Sequence, residues 1–169
     1  HEIDREPAVA VGLVFDDDGR VVLLDSAMPS WLPPERFRDI RVTLPGEDIE
    51  GAEAEYLGQD FLTGYHFIQI EEAAREKFTP ITRFGHASAG RGSLLWGIGI
   101  MGDSWAFQPY FLSGRLSAIE SLPWLVGFTD TSVASPGSAV FDQHGAFVGW
   151  AGRPVTQEKT IIMQGDRLN

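Results

Sequence analysis

Apolar residues in this chain come in short runs, and nearly every run is closed by glycine, proline or an aspartate–glycine pair. This punctuation constrains the fold more than any other feature. Frequent breakers disfavour long helices and suit short strands joined by tight turns. The 19 glycines and 10 prolines among 169 residues supply those turns. The opening segment is the clearest case. Ala8–Phe15 (AVAVGLVF) is an apolar run, Asp17-Asp18-Gly19 is a turn whose glycine accepts positive φ, and Arg20–Leu24 (RVVLL) is the return strand.

The pattern continues along the chain. Ile40–Leu44 (IRVTL) and Ala52–Leu57 (AEAEYL) alternate as half-buried strands do, and Tyr65–Ile70 (YHFIQI) follows the turn Asp60–Gly64. Counted as six segments, residues 8–70 match one small six-stranded barrel. Residues 71–92 are polar, alanine-rich and then broken by Pro80 and glycines, which predicts a connector with a helical turn at Glu71–Lys77. A second set of strands follows within residues 93–163: Ser93–Met101, Gln108–Ile119 with a bend at Ser113-Gly114, Trp124–Thr129, Ser138–Phe141, Ala146–Ala151 and Thr160–Met163. The expectation is one all-β domain spanning residues 1–169, built as two packed six-stranded antiparallel barrels.

Composition excludes several function classes. The formal charge is −11, so phosphate-rich partners such as nucleic acid or an anionic membrane are repelled. With no cysteine there is neither a disulfide framework nor a thiolate metal site. No apolar stretch reaches the ~18 residues that a membrane span needs. The acidic run Asp16–Asp18 lacks EF-hand spacing and reads as a solvated turn. Gly97, Gly99 and Gly102 form a sparse glycine pattern with no helix after it, so no dinucleotide site is expected. No histidine spacing suits a metal, and no cofactor is expected. Of the five tryptophans, Trp96 and Trp150 are predicted in strands and in the core. Trp31 and Trp105 lie in loops, either as exposed anchors or as indoles that pin a loop down.

Five segments, in this order, resemble the trypsin-like serine peptidases, in particular the HtrA-like branch. They are AVAVGLVFDDDGRVVLLDSAM, AEAEYLGQDFLTGYHFIQIE, GRGSLLWGIGIMGD, FLSGRLSAIE and TDTSVASPGSAVFDQHGAFVGW, and the resemblance covers roughly Ala8 to Met163. The resemblance implies two barrels with a catalytic cleft between them. It also implies a histidine at or next to Ser26, an aspartate at Gly64 and the nucleophilic serine at Pro136. All three roles are therefore empty in this register. The triad needs a hydroxyl, a base and a carboxylate that orients the base. Pro136 further removes the backbone N–H that forms half of the family's oxyanion hole.

The resemblance thus implies an inactive pseudopeptidase, not an enzyme, that binds or scaffolds proteins. A peptide or protein segment would occupy the inter-barrel cleft, lined by Val133, Ala151, Gly152 and Arg153. The alternative is an active endopeptidase with a displaced nucleophile at Ser135 or Ser138, whose base would be His66, His86 or His144. As side chains alone, His66 reads as a packed strand residue, His86 as solvated and His144 as the exposed tip of a hairpin. The family resemblance points to a bacterial, periplasmic setting. It also implies that the chain is a piece of a longer protein, since HtrA-like proteins often add a C-terminal peptide-binding domain that this length cannot hold.

Overall fold

The computed structural model describes residues 9–24, 33, 36–47, 51–81, 89–121, 125–152 and 161–164. Among the described residues, eleven strands and the 3-10 turns Glu72–Lys77 and Asp103–Trp105 form the main regular structure. The first lobe contains β1 (Leu13–Val14), β2 (Arg20–Leu23), β3 (Ile40–Val42), β4 (Ala52–Gln59) and β5 (His66–Ile70), in the antiparallel order β1-β2-β5-β4-β3. The second contains β6 (Leu94–Ile100), β7 (Pro109–Glu120), β8 (Val126–Thr129), β9 (Ala139–Asp142), β10 (Phe147–Ala151) and β11 (Ile161–Gln164). These six close into a barrel in the order β10-β11-β8-β7-β6-β9. The two-lobe all-β architecture is the one expected; among the described residues the first lobe supplies five of its six expected strands.

Strand chemistry explains which walls face what. On β4 the small or aromatic residues Ala52, Ala54 and Tyr56 pack inward, while Glu53, Glu55 and Leu57 face out. β2 behaves differently. Val21 and Leu23 belong to the first-lobe core, whereas Val22 and Leu24 belong to a separate core between the lobes. β5 splits in the same way: Ile68 and Ile70 face the first-lobe core, while Tyr65 and Phe67 face the second lobe. A strand buried on both faces must be apolar at every position, which is why RVVLL runs without alternation. β10 is the matching wall of the second lobe, buried along its whole length. Phe147 and Trp150 reach into the interlobe core and Val148 and Ala151 into the barrel. Edge-to-face ring contacts join Tyr65 to Trp150 at 6.2 Å, Trp150 to Phe147 at 5.3 Å and Phe147 to Phe141 at 6.1 Å.

The connector's helical turn is the 3-10 turn Glu72–Lys77, with Ala74 and then Phe78 inserted in the first-lobe core. Arg75 Nε donates to Ile70 O at 3.1 Å and holds the turn against the sheet. The acidic hairpin turn is organised around Arg20, which pairs with Asp16 at 3.0 Å and Asp18 at 2.8 Å. Arg20 is solvent-exposed, so water and salt screen both pairs and they contribute little to stability. No group of acidic or histidine side chains suited to a metal occurs among the described residues. No helix there is long and apolar enough to cross a membrane.

Three sequence expectations need correction. Ala8–Phe15 is not a full strand: only Leu13 and Val14 pair with β2, and the described residues before them leave the sheet. Residues 108–119 do not form two strands with a bend at Ser113-Gly114. Residues 109–119 lie in the single 12-residue strand β7, whose irregularity falls between Leu116 and Ala118. Trp96 is not a core residue; the inward positions of β6 are Leu95, Gly97 and Gly99, so the indole faces out.

Candidate functional site

The second-lobe loop Asp130–Ser138 contains the position assigned to a nucleophile. It is laid on the barrel, and glycines make the approach possible. A Cβ at Gly97 would collide with Val133 O, and one at Gly114 would fall 2.8 Å from Val133 Cγ1. Asp130 N–H donates to Arg115 O at 3.1 Å, while Asp130 Oδ1 accepts Arg115 N–H at 2.7 Å. Thr131 Oγ1 donates to Ser113 O at 3.2 Å. Beyond Gly97, where β9 no longer covers the edge of β6, Ser135 takes its place. Its N–H donates to Ile98 O at 3.1 Å and its Oγ accepts Ile100 N–H at 2.9 Å.

Ser135-Pro136-Gly137-Ser138 then forms a β-turn closed by Ser138 N–H to Ser135 O at 2.9 Å. Proline at the second position and Gly137 at φ +88° are the residues such a turn requires. Gly137 N–H donates to Ala151 O at 2.8 Å, and Ala151 N–H donates to Ser138 O at 2.9 Å. The N–H groups of Ser135, Gly137 and Ser138 are thus all spent on backbone carbonyls, and Pro136 has none. An oxyanion hole needs donors aimed at open space beside the nucleophile, and these three are aimed into the protein.

Pro136 itself is exposed, but no hydroxyl beside it is set up as a nucleophile. Ser135 Oγ is occupied by Ile100, and Ser138 Oγ is buried with no hydrogen-bond partner. His66 is buried on β5 and shares a face with Ile68 and Ile70, the side turned toward the first-lobe core. Its Nδ1 lies 2.9 Å from Tyr56 Oη. Burial pushes the Tyr56 phenol up, which keeps it protonated and able to donate. His144 is exposed at the tip of the β9–β10 hairpin, where its Nε2 lies 3.1 Å from Gln143 Nε2. Ser26, His86 and Arg153, with Trp31 and Trp124, lie outside the described residues.

The aspartate position, Gly64, sits at φ +75° at the end of the β4–β5 turn. Asp60 organises this turn: its carboxylate accepts Leu62 N–H at 3.1 Å and Thr63 Oγ1–H at 2.6 Å, and its carbonyl accepts Gly64 N–H at 2.7 Å. Gly64 immediately precedes Tyr65, and the Pro136 turn is bonded to Ala151, the neighbour of Trp150. Because Tyr65 and Trp150 touch, the two turns flank the same interlobe contact. Of the cleft-lining expectations, Val133 and Ala151 are instead fully buried in the core of the second barrel, and Gly152 is buried too. The side chains of Val133 and Ala151 fill the barrel and do not line a surface groove.

Sequence reasoning missed the exposed apolar residues of both lobes. Phe61 and Leu62 project from the Asp60 turn at 92% and 80% exposure. Their signal was present: two large apolar residues placed between turn-forming Asp60 and Thr63-Gly64 have no core to enter.

No protein-family model matches the chain, and no curated protein sequence does. Solved structures do. The serine endoprotease of Yersinia pestis aligns at a TM-score of 0.65 and 17% identity, over 90% of this chain and 52% of that one. The HtrA-type protease AlgW, solved with a decapeptide, aligns at a TM-score of 0.65 and 16% identity, over 91% of this chain and 47% of that one. The chain spans about half the length of these structures. Two β lobes, an aromatic interlobe core and this structural match together identify the fold as trypsin-like, of the HtrA type.

Proposed function

We propose that this chain is a catalytically inactive trypsin-like domain, a pseudopeptidase that serves as a protein- or peptide-binding or scaffold element. One observation carries the reading: around Pro136 the flanking N–H groups and the Ser135 hydroxyl are bonded inward, and the Ser138 hydroxyl is buried. Acyl transfer needs a hydroxyl, a base and a donor pair at one point in space. His66, the buried histidine, faces the opposite lobe's core. Loss of chemistry leaves the fold able to bind, because a binding surface does not depend on the triad. AlgW, one of the structural neighbours, was solved with a decapeptide, and a peptide is the occupant we favour.

The test is chemical. Purified protein is treated with a serine-directed fluorophosphonate and, separately, incubated with casein. The expected outcome is neither labelling nor cleavage. Reverting Pro136→Ser alone should change nothing, because triad members act as a unit. Adding Ser26→His and Gly64→Asp should restore traces at most, since Gly64 is left-handed and the loop's donors still point inward. Stoichiometric labelling at Ser135 or Ser138, abolished by replacing one histidine, would overturn the proposal and establish a displaced triad.

A further inference from the structure

From Ser93 to Gly114 the chain carries one charged side chain, Asp103, although the whole has a formal charge of −11. This uncharged stretch is the β6–β7 ribbon and its connecting loop. Its outward face is apolar. Ile98 stands directly opposite Phe111 in the ladder, and Trp96 lies two residues along on the same face. They are 38%, 82% and 42% exposed, and Trp105 in the connecting loop is 67% exposed. The core takes nothing from this face, since the inward positions of β6 are Leu95, Gly97 and Gly99.

The loop that presents Trp105 is strained. Ala106 and Phe107, neither of them glycine, both adopt positive φ, at 49° and 51°. Such a residue is disfavoured on steric grounds and persists only where its surroundings impose it. Here Ala106 O accepts Gly46 N–H from the first lobe at 3.1 Å, and Gln108 O accepts Met101 N–H at 3.0 Å. These bonds fix a conformation in which the indole stays in solvent.

We propose that two copies of this chain pair through this face about a two-fold axis, with Ile98 and Phe111 at its centre. Charge selects the occupant. Two strongly acidic copies repel one another wherever carboxylates meet, and this ribbon is the long stretch that is almost free of them. An anionic partner would find no cation here, and a basic one only Asp103. An isologous contact needs a self-complementary patch, which an uncharged apolar face provides. Area is sufficient. With large side chains at roughly 150–250 Å² each, the exposed parts of these four amount to on the order of 500 Å² per copy. Two copies then bury about 1,000 Å², the floor for a specific interface, so the dimer is a weak one. The second lobe is a closed barrel, so pairing is face to face and not by strand addition.

Sedimentation velocity on the 169-residue chain, from about 1 to 300 micromolar as suits an interface of this size, should show a monomer–dimer equilibrium. Salt should tighten it by screening the like charges. Phe111→Glu and Trp105→Ser should each raise the dissociation constant about tenfold or more, as interface aromatics do. Phe61→Ser, on the other lobe, should leave it unchanged. Because the chain has no cysteine, single-cysteine variants give a second readout, of proximity across the two-fold axis. Phe111→Cys should oxidise to a covalent dimer faster than Leu62→Cys. A chain that stays monomeric throughout, an equilibrium that ignores Phe111→Glu, equal weakening by Phe61→Ser, or faster cross-linking at position 62 would each overturn the proposal.

Discussion

The two turns that carry the aspartate and nucleophile positions of the trypsin-like register are built in opposite ways. The Asp60–Gly64 turn holds itself: one carboxylate bonds Leu62 N–H and Thr63 Oγ1, and the tip side chains are left in solvent. The Asp130–Ser138 loop is held by the barrel, through Arg115, Ser113, Ile98, Ile100 and Ala151, all distant in sequence. The first is organised by a carboxylate of its own, and its tip residues Phe61 and Leu62 stand exposed. The second is part of the barrel's packing, so a change there reaches the core. A working nucleophile loop would direct N–H groups toward a substrate, whereas this one directs them into its own scaffold.

The largest test of that contrast is at the glycines. In Gly97→Ala the new methyl meets Val133 O and lies 2.7 Å from Ala134 Cβ. Neither neighbour is a flexible side-chain end, so the loop must lift from β6. Urea unfolding should show a loss of about 3 kcal/mol or more, in the range of severe overpacking. Gly64→Ala, in the Asp60 turn, forces alanine into a left-handed φ and should lose about 1–2 kcal/mol. Equal losses would mean that the second loop is no more tightly integrated than the first.

Hydrogen bonds give the intermediate effect. Ser135→Ala removes the acceptor of Ile100 N–H at a half-buried edge of β6, and should cost about 1–2 kcal/mol. Asp60→Ala removes the carboxylate to which Leu62 N–H and Thr63 Oγ1–H donate, and water can take over both donors at this surface turn. Its cost should be about 1 kcal/mol or less, with faster amide exchange at Leu62. If Asp60→Ala proves the more damaging, the local turn is the more important of the two.

These contrasts also mark what the residues reveal on first reading. Strands were legible where burial is simple. AEAEYL alternates because one face is wet, and RVVLL is continuous because β2 separates two cores. The Asp18-Gly19 turn was legible because the geometry requires positive φ, and Gly19 has φ +74°. Glycine misled where it served a different purpose. Ser113-Gly114 reads as a bend, yet β7 passes straight through, and Gly114 is small because Val133 and Asp130 press on it. One residue type answers to both a turn and a close approach, and only the fold tells them apart. Val133 and Ala151 were expected in the cleft by alignment with a family. No local pattern in the sequence records that the loop folds inward and takes Val133 with it.

Ser138 gives the smallest effect and the sharpest distinction. Its backbone is fully engaged, with N–H to Ser135 O and carbonyl to Ala151 N–H, but its Oγ is buried with no partner. A hydroxyl left dry and unpaired costs about 1–3 kcal/mol relative to one that is satisfied. Alanine keeps the Cβ and removes only the unpaired atom, leaving little room for a cavity. Ser138→Ala should therefore leave the unfolding midpoint unchanged or raise it, with a gain of up to about 1 kcal/mol. Ser135→Ala, three residues away, should lower it. Opposite signs at two serines on either side of Pro136 are what an inward-folded, locked turn implies. A clear loss at Ser138 would reveal a bond that its hydroxyl makes, and with it a chemically engaged serine beside Pro136.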